Sequence, residues 1–276
     1  MASFGPTVSA DWLADHLDDD DLVVVDSRWS LDGGPGRAGF EAEHISSAVF
    51  ADLDVDLSAP ASPDAGRHPL PTAENFAASM ARLGIGDESR VVVYDDAGGA
   101  IAARLWWMLD VLGRPAAVLD GGLAAWSGPT GSGSVEAAPA VFSPMSWPAH
   151  RVITKADLEA SLGGAMTILD ARSPDRYADG GPADPRPGHI PGAVNAPVGA
   201  NFTDGRFRDG DDLAEHYGDL GADGDDVVAY CGSGVTACAD LLGRRLAGLP
   251  DAKLYVGSWS QWGADESLPC ETGCDD

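Results

Sequence analysis

Short apolar runs alternate with longer amphipathic stretches along most of the chain. LVVVDSRW (22–29), RVVVYDDAG (90–98), TILDARSP (167–174) and DVVAYCGSG (226–234) are each rich in aliphatic and β-branched residues and stop at a polar or glycine-rich joint. Such runs predict buried strands. Between them ADWLADHL, AENFAASMARLG and AARLWWMLDVLG repeat apolar residues every three or four positions, which predicts helices. Strands alternating with helices predict an α/β fold with a mainly parallel sheet and helices on both faces.

The pattern occurs twice. LVVVDSRW matches TILDARSP, EAEHISSAVFADL (41–53) matches RPGHIPGAVNAPV (186–198), RVVVYDDAG matches DVVAYCGSG, and VLDGGLAAW (118–126) matches LYVGSWSQW (254–262). Tyr94 to Tyr230 and Trp126 to Trp262 are both offset by 136, so the later half of each copy aligns without a gap. Residues 128–150 are rich in Gly, Ser, Pro and Ala and read as a linker. The expected organisation is an N-terminal domain over 1–127, that linker, and a C-terminal domain over 151–276.

The 276 residues are 44% apolar, enough for two cores. Against 17 basic residues stand 44 acidic ones, a formal charge of −27, and lysine occurs only at 155 and 253. Such a surface repels nucleic acid and anionic membranes, so neither is an expected partner. No apolar run approaches the roughly 20 residues that cross a bilayer, and the N-terminal stretch has neither the basic start nor the apolar core of an export signal. A cytoplasmic location is expected. Acid spread over both halves also suits concentrated salt, where the Debye length shrinks to about 3 Å at 1 M, and an acidic halophilic surface is expected.

Four cysteines, Cys231, Cys238, Cys270 and Cys274, all lie near the C-terminal end. That is a poor disulfide framework. Cys270 and Cys274 read as ordinary tail thiols, without the spacing of a zinc site.

Cys231 is different. It ends the apolar run 227–230 and precedes Gly-Ser-Gly and a predicted helix over 236–246. Reactive groups gather beyond the carboxyl ends of parallel strands. Residues 232–236 offer consecutive backbone N–H groups at a helix start, which stabilise a thiolate. The chemistry this points to is nucleophilic attack by sulfur. Cys238, inside the helix, reads as a core residue. A phosphate-binding loop needs a lysine after its glycines, and a Cys-X5-Arg phosphatase needs an arginine where Ala237 stands; neither pattern is met.

The tandem repeat, the turn HIPGAVN at 189–195, WWML at 106–109, LDGGLAAW and CGSGVTAC together resemble the two-domain rhodaneses, and within them the 3-mercaptopyruvate sulfurtransferases. The resemblance implies a sulfurtransferase that moves sulfur from 3-mercaptopyruvate to a thiol, thioredoxin or cyanide through a Cys231 persulfide. It needs no metal or organic cofactor. Asp95 stands at the Cys231 position of the first repeat, so the N-terminal domain is expected to be inactive. Thiosulfate enzymes of the family carry Cys-Arg-Lys-Gly-Val-Thr, whose cations suit a dianion; Gly232 and Ser233 replace them here.

The resemblance assigns substrate binding to Arg176 and Arg186 and to the loop residues Gly232, Gly234, Val235 and Thr236. It also implies a set of Ser233, His68 and Asp54 that orients or polarises the substrate. By itself His68, in a proline-flanked loop, reads as a surface histidine, and Asp54 has Asp52 and Asp56 as neighbours. Arg172 and its repeat mate Arg28 read as ion-paired supports, and His44 and His189 as residues of the fold. Trp106, Trp107, Trp126, Trp259 and Trp262 read as packing, with Ser258 and Trp259 beside the pocket. Two alternatives stay open: thiosulfate as donor, and a non-catalytic persulfide carrier or scaffold.

Overall fold

A computed structural model describes residues 4–31, 33 and 36–273. The chain divides into two compact units. The first holds the chain up to Ala59, Pro71–Trp147 and Asp204–Phe207; the second holds Pro60–Leu70, Pro148–Thr203 and the chain from Arg208 onward.

In the first unit the elements run β1 (Thr7–Val8), α1 (Ala10–His16), β2 (Leu22–Asp26), α2 (Gly36–Ala42), β3 (His44–Ile45), β4 (Val49–Phe50), α3 (Ala73–Arg82), β5 (Arg90–Tyr94), α4 (Ala103–Asp110), β6 (Ala116–Leu119) and β7 (Thr130–Gly131). Ser9 and Thr72 cap α1 and α3 by accepting from the amides of Trp12 and Asn75, which satisfies donors the helix itself leaves over. The sheet order is β1-β6-β5-β2-β4, all parallel. Val24, Val92, Tyr94 and Leu119 from its strands pack with Phe40 and Phe50 as the core.

The second unit repeats this plan with α5 (Lys155–Ser161), β8 (Thr167–Asp170), α6 (Pro174–Asp179), β9 (Ala193–Asn195) and β10 (Phe202–Thr203). After the short strand β11 (Arg206–Phe207), which belongs to the first unit, follow α7 (Gly210–Asp219), β12 (Val227–Tyr230), α8 (Ala237–Leu246), β13 (Lys253–Leu254) and α9 (Ser258–Trp262). The order β13-β12-β8-β9 is again parallel, with Val152 bridged to Leu254 at the far edge. Ile168, Val228, Tyr230, Trp259 and Trp262 form its core. Among the described residues no helix is long and apolar enough to cross a membrane.

The repeat extends to single contacts. Asp26 grips Arg28 through two oxygens, as Asp170 grips Arg172, and the hydroxyls of Tyr94 and Tyr230 accept from the amides of Ile45 and Ile190. His44 stacks on Phe40 and His189 on Tyr177, each bonded through Nδ1 to that ring residue's carbonyl, so both serve the fold. Trp106, Trp107, Trp259 and Trp262 are buried; Trp126 is half-buried, with its indole N–H on the Pro129 carbonyl.

Two segments depart from the expected boundaries. Most of the expected linker is fastened to the first unit: β7 pairs with β3, Ser143 donates twice to the Asp87 carboxylate, Phe142 is buried edge-on against Phe76, and the Trp147 indole donates to the Pro71 carbonyl. Averaged composition hides these two aromatic anchors. Conversely, Pro60–Leu70 groups with the second unit. It turns through a Ser62–Gly66 bridge, receives the Gln261 side-chain amide on the Asp64 carbonyl, and gives the Arg67 amide to Ser260 Oγ at 2.9 Å.

Candidate active site

Cys231 lies immediately beyond the carboxyl end of β12, next to the centre of the second sheet, and is 2% exposed. Its sulfur accepts from the Gly234 amide at 3.2 Å. The first turn of α9 holds the loop from behind: Cys231 N–H donates to Ser258 Oγ at 3.2 Å, Trp259 N–H to the Cys231 carbonyl at 3.0 Å and Ser260 N–H to the Gly232 carbonyl at 2.9 Å. Ser258 and Trp259 are thus fully buried supports of the loop. Gly234 has φ +75°, and a Cβ there would stand 2.5 Å from the Val256 carbonyl oxygen, so the tight turn requires glycine. Val235 is buried, Thr236 is half-buried, and α8 starts at Ala237. Cys238 is buried, its thiol 3.5 Å from the Gly234 carbonyl.

The first unit shows what the loop does with negative charge. Asp95 is fully buried, and its carboxylate accepts from four amides: Ala97 and Gly99 at 2.8 Å, Ile101 at 2.7 Å and Ala102 at 2.8 Å. Burial pushes this carboxyl above the usual range, and the four amide bonds pull against that rise. At the repeat offset of 136 the corresponding amides are those of Ser233, Val235, Ala237 and Cys238.

Four side chains of the second unit gather at the loop. Ser233, 4% exposed, has its Oγ 2.8 Å from Nδ1 of His68, which is 1% exposed. The surface reading of His68 is overturned, because Pro60–Leu70 packs into this unit. A Cβ at Gly232 would stand 2.8 Å from Nη2 of Arg176 and 3.2 Å from Nη2 of Arg67. Asp184, whose side chain is 1% exposed, orients Arg176 through Nε at 2.9 Å and Nη2 at 2.5 Å. Arg67 is absent from the sequence-based expectations, although it precedes His68 in GRHPLP and is one of only 17 basic residues.

Arg186 and Asp54 are the other two side chains expected to take part. The Arg186 guanidinium lies 5.7 Å from the Trp259 ring and donates to the Leu268 carbonyl at 2.9 Å. Asp54 belongs to the first unit and is exposed, its amide on the Asp52 carboxylate; of the three neighbouring aspartates, Asp56 is the buried one, paired with Arg82. Arg172 is a support: Asp170 and the Gly188 carbonyl hold it and its guanidinium lies 4.8 Å from the Trp259 ring. Burial disfavours the Arg172 charge, but Asp170 outweighs it and raises the pKa. Cys270 is exposed, and Cys274 lies outside the described residues. Among the described residues no three or more His, Cys, Asp or Glu side chains cluster as metal ligands.

A buried cysteine in an N–H loop, repeated as an aspartate one domain earlier, has relatives. The family model of the rhodanese-like domain matches residues 9–129 and again 154–265. The chain belongs to the rhodanese family. Among relatives of this rhodanese, a Pseudomonas aeruginosa protein provisionally named a 3-mercaptopyruvate sulfurtransferase is 42% identical, over 96% of this chain and 98% of its own. A Mycobacterium tuberculosis protein provisionally named a thiosulfate sulfurtransferase is 38% identical, over 92% of both chains. The rhodanese fold of the crystal structure of an Escherichia coli 3-mercaptopyruvate sulfotransferase superposes with a TM-score of 0.82 at 34% identity, covering 93% of this chain and 99% of the other.

Proposed function

We propose that this rhodanese is a 3-mercaptopyruvate sulfurtransferase that carries sulfur on Cys231. The observation that carries the reading is the Gly234 amide 3.2 Å from the Cys231 sulfur, in a loop whose counterpart holds a carboxylate through four amides. Amide dipoles aimed at sulfur stabilise the negative charge that sulfur carries through the transfer. The thiolate attacks the sulfur of 3-mercaptopyruvate. A sulfur–sulfur bond forms, the substrate's carbon–sulfur bond breaks, and its electron pair passes into the enolate of pyruvate. The proton of the substrate thiol ends on the enolate carbon, and the Ser233–His68 pair is within reach to carry it.

The persulfide that remains is negatively charged; the Gly234 amide, and the loop amides that correspond to those holding Asp95, support that charge. Arg176 binds the carboxylate, Asp184 fixing the direction of its fork. A thiol, reduced thioredoxin or cyanide attacks the outer sulfur and returns Cys231 as a thiolate. The first domain, with Asp95 in its loop, carries no sulfur. Cys231, Cys238 and Cys270 are all free thiols, which supports a reducing setting such as the cytoplasm.

The test is thiocyanate formation from 3-mercaptopyruvate and cyanide, with mass spectrometry of the donor-treated protein. The expected result is turnover, the gain of one sulfur atom on Cys231, and loss of both in Cys231→Ser. Turnover that survives Cys231→Ser would overturn the carrier assignment.

A further inference from the structure

The first unit holds a cavity of about 310 Å³ that takes no part in the Cys231 chemistry. That volume is at the lower end of the range for small-molecule sites, enough for a ligand the size of one amino acid. Its floor is apolar: Phe40 from α2, Val49 and Phe50 from β4, and Leu83 at the end of α3 are all buried. Residues 134–139 roof it.

The roof is fastened at its ends. The Gly133 amide donates to the Glu41 carbonyl at 2.7 Å, and the Ala140 amide to the Ala81 carbonyl at 2.9 Å. Between these points the roof touches down at Gly84, where a Cβ would stand 3.0 Å from the Ala137 Cβ and 3.3 Å from the Ala138 carbonyl oxygen. Among the described residues no hydrogen bond reaches 134–136, so that part of the roof can adjust to what lies under it.

Four charged side chains line the cavity, two of each sign: Arg37 and Arg82, Glu41 and Glu136. Arg82 is tied to the buried carboxylate of Asp56. Arg37, Phe40 and Glu41 stand three and four positions apart on α2, so a guanidinium, a ring and a carboxylate are neighbours on one helix face. Arg37 lies with its guanidinium carbon 4.8 Å from the centre of the Phe50 ring, and its nearest carboxylate oxygen, on Asp52, is 3.9 Å away. The carboxylates of Glu41 and Glu136 form no ion pair with the described residues. A ligand of one sign would satisfy half of this lining and be repelled by the other half. One that carries both signs on adjacent atoms, with an apolar body, matches all of it.

We infer that this cavity binds an α-amino acid with an apolar side chain: its carboxylate on the Arg37 fork, its ammonium on Glu41, and its side chain against Phe40 and Phe50 beneath the roof. The paired donors of a guanidinium suit a carboxylate. The site is independent of sulfur transfer, since none of its residues belongs to the unit that bears Cys231.

The experiment is titration calorimetry of the full chain at one ionic strength with L-phenylalanine and three incomplete probes. Glycine lacks the side chain, 3-phenylpropionate the ammonium and 2-phenylethylamine the carboxylate. L-phenylalanine is expected to bind saturably, and each probe about 10- to 100-fold more weakly, the worth of a buried apolar group or of a charge-assisted hydrogen bond. Arg37 and Glu41 are exposed, so Arg37→Met and Glu41→Gln keep the fold. Arg37→Met weakens L-phenylalanine by the same factor and leaves 2-phenylethylamine unchanged; Glu41→Gln does so and leaves 3-phenylpropionate unchanged. No saturable binding of L-phenylalanine, an unchanged affinity in either variant, or an incomplete probe that binds as tightly as L-phenylalanine overturns the inference, and none of these results touches the reading of Cys231.

Discussion

Ser233 and His68 are the two buried polar side chains that meet beside Cys231, 2.8 Å apart and nearly sealed from solvent. A proton relay of this kind contributes about 10²- to 10⁴-fold to a rate. Ser233→Ala and His68→Gln are therefore each expected to lower kcat with mercaptopyruvate by that order, measured at saturating donor, with alkylation of Cys231 still proceeding. Equal kcat in both variants would leave the pair a structural contact. At this scale the sequence showed the residues whose chemistry is local: Cys231 after a strand, with glycines behind it. Arg67 was not legible, because its direction depends on Ala183 and Ser260, far away in the chain. The rest of Arg186 on the Trp259 ring was not legible either, because its spacing from Arg176 says nothing of Trp259.

The helix α8 carries the nucleophile loop at its start and an unusual carboxyl in its body. Asp240 is fully buried; one oxygen accepts from Asn201 Nδ2 at 2.6 Å and the other has no hydrogen-bond partner among the described residues. Burial pushes this carboxyl well above the usual range, the Asn201 bond works against the rise, and the Asp170 charge adds to it. The folded protein thus holds a proton that the unfolded chain releases at its ordinary pKa of about 4. Stability consequently falls as pH rises from there toward the folded pKa. Asp240→Asn cannot ionise and keeps the acceptor for Asn201. The melting temperature of this variant relative to the wild type is expected to increase as pH rises above the ordinary carboxyl pKa of about 4; a difference that shrinks with pH would mean the carboxylate is stabilised in the fold. The helix itself was legible, 236–246 expected and Ala237–Leu246 found, because its apolar positions recur at helical spacing. The strap formed by 128–147 was not, since Phe142 and Trp147 are too few to shift a composition dominated by Gly, Ser, Pro and Ala.

Over the whole molecule the net charge of −27 sets the long-range term. Self-repulsion at low ionic strength works against the compact state, and screening relieves it. The melting temperature is expected to rise as KCl is raised from about 0.05 M, where the Debye length exceeds 10 Å, to beyond 1 M, where it is about 3 Å. A flat or falling profile would argue against an adaptation to salt. The tandem organisation was legible because a constant offset of 136 is a property of the letters alone. The membership of Pro60–Leu70 in the second unit was not, because no local signal marks a segment whose partners lie late in the chain. That membership also orders events during synthesis. His68 leaves the ribosome 165 residues ahead of Ser233, and at roughly 5–20 residues per second it waits about ten to thirty seconds for its partner. Translation must pass both Ser233 and Ser260 before the loop that bears Arg67 and His68 has all the partners that hold it. The candidate centre is thus among the last parts of the nascent protein to exist, and a prematurely terminated chain holds His68 without Ser233 or Cys231.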